Sequence, residues 1–208
     1  MTRLKHPGRY LIGLTGNIAV GKSTVLELLR AWGACTIDAD QVAHEVMATP
    51  DVRRTLAQAF GPGILDARGN VDRAELGRIV FRDPAALARL EAIVHPAVGQ
   101  VIDATIARAV EPVVVIEAIK LIEAGLHRGY DALWVVTAPP EQQAARLMET
   151  RRLTAAEAWL RIDAQPPQSA KAALANVIID NRGDRDGLEQ QVRVAWERVQ
   201  EELGHSRD

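Results

Sequence analysis

Lys22 and Ser23 close the stretch Gly16-Asn17-Ile18-Ala19-Val20-Gly21-Lys22-Ser23, which fits the spacing G-x-x-x-x-G-K-[ST]. A loop of this kind that opens a helix presents unpaired backbone N–H groups, and the helix dipole adds partial positive charge at the same place. Polyphosphate oxygens fill such a nest. Gly16 and Gly21 permit backbone angles and a close approach that a side chain would block. Lys22 reaches β- and γ-phosphates, and the Ser23 hydroxyl is a Mg²⁺ ligand. The segment from Asn17 through Ile18, Ala19, Val20 and Gly21 to Thr24 is therefore a candidate nucleoside triphosphate site, with Mg²⁺ as its metal. The competing reading is a chance glycine-rich turn.

Other chemistry-bearing residues follow. Asp38 and Asp40 stand at the end of a second apolar run, and in an extended strand end they point to one side. A carboxylate there can orient an attacking hydroxyl and accept its proton. Helix capping competes with that role, because Asp38 and Gln41 are spaced as a capping box. Arg146, Arg151, Arg152 and Arg161 crowd a helical stretch and are suited to clamping phosphate oxygens. Arg161 lies four residues after Glu157, so an exposed helix pair is its alternative.

The elements that must position these groups are legible. Tyr10 to Thr15 is an apolar, strand-type segment, and Val25, Leu28, Leu29 and Trp32 form a helical stripe behind the loop, stopped at Gly33. Ala34 to Ile37 reads as a second strand. Val113 to Ile116, Leu133 to Val136 and Val177 to Ile179 are short β-branched runs of the kind buried on both faces of a parallel sheet. Between the second and third strands the spacing predicts helices on Val52, Leu56 and Phe60, on Leu76, Ile79 and Val80, and on Leu87 to Val94. His95-Pro96 should interrupt the last of these, with a further helix on Val98 to Ile106. A C-terminal helix is expected from Asp186. The expected class is α/β, a five-stranded parallel sheet with helices on both faces. Residues 1–40, 110–140 and 174–208 would form a nucleotide-binding core, 41–109 an inserted helical substrate subdomain, and 141–173 a lid.

Composition narrows the classes of function. The chain has 208 residues, formal net charge −2 and 48% apolar residues, so nothing favours nucleic-acid or anionic-membrane binding. Its one cysteine, Cys35, allows no internal disulfide and fits a reducing, cytoplasmic setting. Basic residues between Met1 and Tyr10 precede an apolar run. That run is short and leads into Gly21-Lys22-Ser23 rather than a cleavage site, which argues against a secretory signal. No apolar run has the length of a membrane helix.

The chain resembles the dephospho-coenzyme A kinases, a family of P-loop, nucleoside-monophosphate-kinase-like enzymes. The likeness rests on Ile12 to Gly16 with Gly21-Lys22-Ser23-Thr24, on Ile37-Asp38-Ala39-Asp40-Gln41-Val42-Ala43-His44, and on Gly69-Asn70-Val71-Asp72-Arg73. It continues through Leu90-Glu91-Ala92-Ile93-Val94-His95-Pro96, Arg161-Ile162-Asp163-Ala164-Gln165 and Ile179-Asp180-Asn181. The resemblance implies a three-layer P-loop NTPase fold and transfer of the γ-phosphate of ATP to the ribose 3′-hydroxyl of dephospho-coenzyme A. It makes Asp40 the base and Lys22 and Arg146 the phosphate-handling groups, with no protein partner required.

The resemblance also places His95 near the coenzyme moiety, against simple packing. Arg73 becomes a ligand of substrate phosphate, against a solvated loop charge, and Asn181 a holder of adenine, against a turn residue. The chain departs from the family pattern at the loop, where Asn17, Ala19 and Val20 replace smaller residues. It departs again after the third strand, which runs Glu117-Ala118-Ile119-Lys120. Glu117 remains a candidate Mg²⁺ ligand through water, and Lys120 either reaches a substrate phosphate or snorkels to solvent. Thr150 stands where the family has its next lid arginine, leaving Arg151 or Arg152 to substitute. The rivals to this reading are another small-molecule kinase on the same scaffold and a non-catalytic nucleotide-binding protein.

Overall fold

The structure is a computed structural model and describes residues 8–205; the first seven residues of the basic N-terminal stretch lie outside the described residues. The strands are β1 (Tyr10–Thr15), β2 (Cys35–Asp38), β3 (Val113–Glu117), β4 (Ala132–Thr137) and β5 (Val177–Asp180). The helices are α1 (Lys22–Ala31), α2 (Ala39–Ala48), α3 (Pro50–Phe60), α4 (Arg73–Val80), α5 (Pro84–Arg108), α6 (Pro140–Arg151), α7 (Ala155–Asp163), α8 (Gln168–Ala172) and α9 (Arg185–His205). The chain forms two compact units. One holds the segments up to Ile37 and from Ala109 onward; the other spans Asp38–Arg108.

The first unit is built on a sheet of order β2-β3-β1-β4-β5. β1 pairs in parallel with β3 and β4, and β4 in parallel with β5. Both faces of the central strands are buried, as their unbroken apolar runs require. On one face Ile12, Leu14, Val113, Val115, Trp134 and Val136 pack against Val25 and Leu29 of α1 and Leu188, Val192, Val199 and Leu203 of α9. Strand alternation puts Gly13 on the other face. There a Cβ on Gly13 would lie 2.8 Å from Tyr130 Cδ2 and 3.1 Å from Leu121 Cδ2. The segment between β3 and β4 therefore covers that face at contact distance.

In the second unit α5 buries Val94, Val98, Ile102 and Ile106, a stripe of spacing four, and packs with α2, α3 and α4. Here the sequence expectation fails. α5 runs through His95-Pro96 as one helix of 25 residues. Proline removes one backbone donor and disfavours the helical region before it, but the apolar stripe on either side is continuous. Packing of that stripe outweighs a local cost of about 3 kcal/mol.

A second correction concerns Asp38 and Asp40. β2 ends at Asp38, and α2 begins at Ala39, so the period-two argument does not apply to Asp40, which lies in the first helical turn. Asp38 Oδ1 accepts the backbone N–H of Gln41 at 2.9 Å. The Gln41 side chain donates to Glu45 instead of reaching back, so the cap is single rather than a reciprocal box. α9 starts one residue before Asp186, with Asp184 Oδ1 accepting the N–H of Gly187.

Candidate active site

The sheet register decides which side chains meet. Leu14 is the neighbour of Glu117 across the β1–β3 ladder, so the carboxyl end of β3 lies beside the point where β1 opens into the Gly16–Ser23 loop. The Thr15 hydroxyl donates to Ala118 O at 2.7 Å and lies 3.2 Å from Ile119 O, tying the two strand ends together.

The loop delivers an uncapped helix. α1 has Gly21 at its N-cap with φ 98° and ψ 24°, no side-chain cap and no acidic residue in its first turn. α2, α4 and α7 are capped by Asp38, Asp72 and Thr154, while α3, α6 and α8, like α1, carry no side-chain cap. A helix start with no side-chain cap and no acidic residue is suited to an external anion. Lys22 Nζ donates to Gly16 O at 3.1 Å and to Asn17 O at 3.2 Å, and lies 3.5 Å from Glu117 Oε1. Lys22 and Glu117 are each about nine-tenths buried at the side chain. Ser23 is exposed at the first turn of α1, and Thr24 is half-buried behind it.

The two loop glycines are fixed by contact. A Cβ on Gly16 would lie 2.4 Å from Val136 O, and one on Gly21 would lie 2.2 Å from Asn181 Nδ2. Asn181, buried at the end of β5, donates from Nδ2 to Val20 O at 2.8 Å. Arg146 of α6 donates to Ala19 O at 3.1 Å, to Asn181 O at 3.2 Å and to Gln142 Oε1 at 3.3 Å. Arg146, Asn181, Glu117 and the Asn17–Thr24 loop therefore form one connected group. The cradle fits a polyphosphate with its metal: two positions where side chains are excluded, an uncapped helix start, a lysine and a hydroxyl at its first turn, and a carboxylate beside the lysine.

The other candidate residues are exposed. Arg161 is exposed in the last turn of α7, where it adds to the pull on Glu157. The Glu157 carboxyl lies below its ordinary value chiefly because the Thr154 backbone N–H and then its hydroxyl bind it, with Arg161 contributing attraction. Arg152 terminates α6 in the left-handed region at φ 53°, and Arg151 precedes it, both exposed. Lys120 is exposed in the turn after β3, where its carbonyl accepts the N–H of Ala124. Asp40, Arg73 and His95 belong to the helical unit and are exposed there: Asp40 at the start of α2, Arg73 at the start of α4 and His95 midway along α5.

Three contributors escaped sequence reasoning. Gln165 Oε1 accepts the Ile18 N–H at 2.7 Å, and Pro166 O accepts from Asn17 Nδ2 at 2.9 Å. Lys171 is a buried lysine that donates to Ile119 O and pairs with Glu123 at 3.2 Å, fastening the turn after Glu117 to α8. Gln165 lies inside a stretch matched to the family, which was its only signal. Lys171 has no periodicity or motif to mark it.

Sheet, loop and helix start define a P-loop α/β protein. The fold is shared at TM-score 0.53 and 15% identity with shikimate kinase from Bacteroides thetaiotaomicron, over 92% of this chain and 98% of that one. Within that class the match is much narrower. The dephospho-CoA kinase family model matches residues 10–186, so the chain belongs to the dephospho-CoA kinase family. It is 45% identical over 190 residues to dephospho-CoA kinase of Geobacter sulfurreducens, covering 89% of this chain and 96% of that protein. Its fold matches TT1252 of Thermus thermophilus at TM-score 0.82 and 34% identity, over 92% of this chain and 98% of that one.

Proposed function

We propose that this kinase transfers the γ-phosphate of ATP to the ribose 3′-hydroxyl of dephospho-coenzyme A, yielding coenzyme A and ADP. The observation that carries the donor side is the uncapped, acid-free start of α1 behind a loop from which side chains are excluded at Gly16 and Gly21. Family membership carries the acceptor.

Lys22 exchanges its bonds to the Gly16 and Asn17 carbonyls for phosphate oxygens. Ser23 and, through water, Glu117 would hold Mg²⁺, which would offset the charge of the phosphate oxygens. Arg146 adds positive charge from α6, and Asn181 lies at the base side of the loop. Asp40 orients the acceptor hydroxyl and accepts its proton. Phosphoryl transfer has a loose transition state, so its placement matters more than its basicity. Arg73, His95, Lys120 and Arg161 contact the acceptor. The α6–α8 segment, residues 141–173, closes over the site and excludes water, which suppresses hydrolysis of ATP. The substrates are small molecules, and the chain acts in the cytoplasm without a protein partner. Among the described residues no helix is long and apolar enough to cross a membrane.

The test is ADP formation with dephospho-coenzyme A, adenosine monophosphate or no acceptor, measured side by side. Turnover confined to dephospho-coenzyme A is expected. Comparable turnover with adenosine monophosphate, or ADP release without acceptor, would overturn the assignment.

A further inference from the structure

The middle of the phosphate loop is held from outside. Ile18 and Ala19 pack against Ala144 and Leu147 of α6 and Ala158 of α7, with Leu153 and Ile162 beside them. Ala19 is left-handed at φ 57°, a conformation that costs an L-residue roughly 1–2 kcal/mol. A loop in that state needs restraint from its surroundings. Arg146 supplies part of it at the Ala19 carbonyl. The peptide one residue earlier is held by Gln165, whose Oε1 accepts the Ile18 N–H at 2.7 Å. Asn17, 4% exposed, donates back to Pro166 O at 2.9 Å. Two hydrogen bonds of opposite direction thus join residues 17–18 to residues 165–166, nearly 150 positions along the chain.

We propose that Gln165 is a positioning residue for polyphosphate binding. It fixes the orientation of the Ile18 peptide, and through it the strained Ala19 peptide, so that the amides at the start of α1 converge before nucleotide arrives. The arrangement is pre-organisation: the ordering of the loop is completed in the folded protein rather than at the expense of binding. Gln165 acts on the loop backbone at the Ile18 amide, and the apolar seat of Ile18 acts in the same direction. This inference rests on the reading that the loop binds the phosphates of ATP.

The experiment measures dissociation constants of adenosine, ADP and ATP by calorimetry for the wild-type chain, Gln165→Met, Ile18→Ala and the double variant. Methionine keeps the length of the side chain and removes the acceptor. For Gln165→Met, ADP and ATP should bind roughly 3- to 10-fold more weakly, the worth of one hydrogen bond, while adenosine is unchanged. The double variant should lose less than the product of the single losses, because both residues hold one peptide. Unchanged ADP and ATP affinity in Gln165→Met would overturn the proposal. So would an equal loss for adenosine, which marks general loosening. If wild-type protein binds ATP no more tightly than adenosine, the phosphate-loop reading itself falls, a result distinct from either of these.

Discussion

Replacing Gly21 by alanine tests the site at its narrowest point. Gly21 has φ 98°, a region that costs an L-residue about 1–2 kcal/mol. The new Cβ would also lie 2.2 Å from Asn181 Nδ2 and 3.4 Å from Asn181 Cγ. Asn181 is buried, so its carboxamide must rotate away and leave Val20 O without its donor, costing about 1 kcal/mol more. The sum is roughly 2–3 kcal/mol, which for a chain of this size lowers the melting temperature by about 4–12 °C. Asn181→Ala alone should cost about 1 kcal/mol. The double variant should fall short of the sum by about 1 kcal/mol, since the clash has gone while the strain of φ remains. Thermal unfolding of the four proteins, with ATP titrations on each, completes the cycle. Gly21→Ala should bind ATP at least about tenfold more weakly, because the helix-start amides are displaced together. Strict additivity in the cycle, or a melting temperature within about 1 °C of wild type for Gly21→Ala, would refute the reasoning.

Further outcomes follow from the same geometry. Asp40→Asn should lower turnover by about 10²-fold or more while the KM for ATP stays within about threefold, as steady-state kinetics at saturating Mg²⁺ would show; near-normal turnover sinks the base assignment. Glu117→Gln should raise the Mg²⁺ concentration needed for half-maximal rate and lower turnover, read from a Mg²⁺ titration at fixed ATP; an unchanged midpoint removes Glu117 from the metal. Arg152→Gly should raise stability by about 0.5–1 kcal/mol, because Arg152 sits at φ 53° where glycine carries no steric cost, and denaturant midpoints report it. Glu157→Gln should lower the melting temperature at neutral pH. The folded carboxyl lies below its ordinary value of 4.5, so the wild-type advantage is complete above about pH 4.5 and fades as pH falls through the lower folded value. A difference that persists undiminished at the acid end would contradict it.

Much of the nucleotide half of the molecule can be read from residue order alone, and the reason is that its signals are local. The apolar runs at β1, β3 and β4 announce burial on both faces. Gly16, Gly21, Lys22 and Ser23 lie within eight positions, so their joint geometry is carried by one turn and one helix start. The resemblance to the dephospho-CoA kinases rests on that stretch together with the downstream motifs. Tertiary structure decided the rest, because the remaining signals are products of distance in sequence. Pro96 reads as a break, yet packing along α5 overrides it. Asp40 reads as a strand end and is the start of a helix, because Asp38 caps it. Glu117 meets Lys22 only through the β1–β3 register, and Arg146, Asn181 and Gln165 reach the loop only once α6, β5 and the residue run after α7 have folded against it. A sequence records which groups exist and the local turns that present them. Contact between groups a hundred or more residues apart is set by packing of the sheet, which no local pattern encodes.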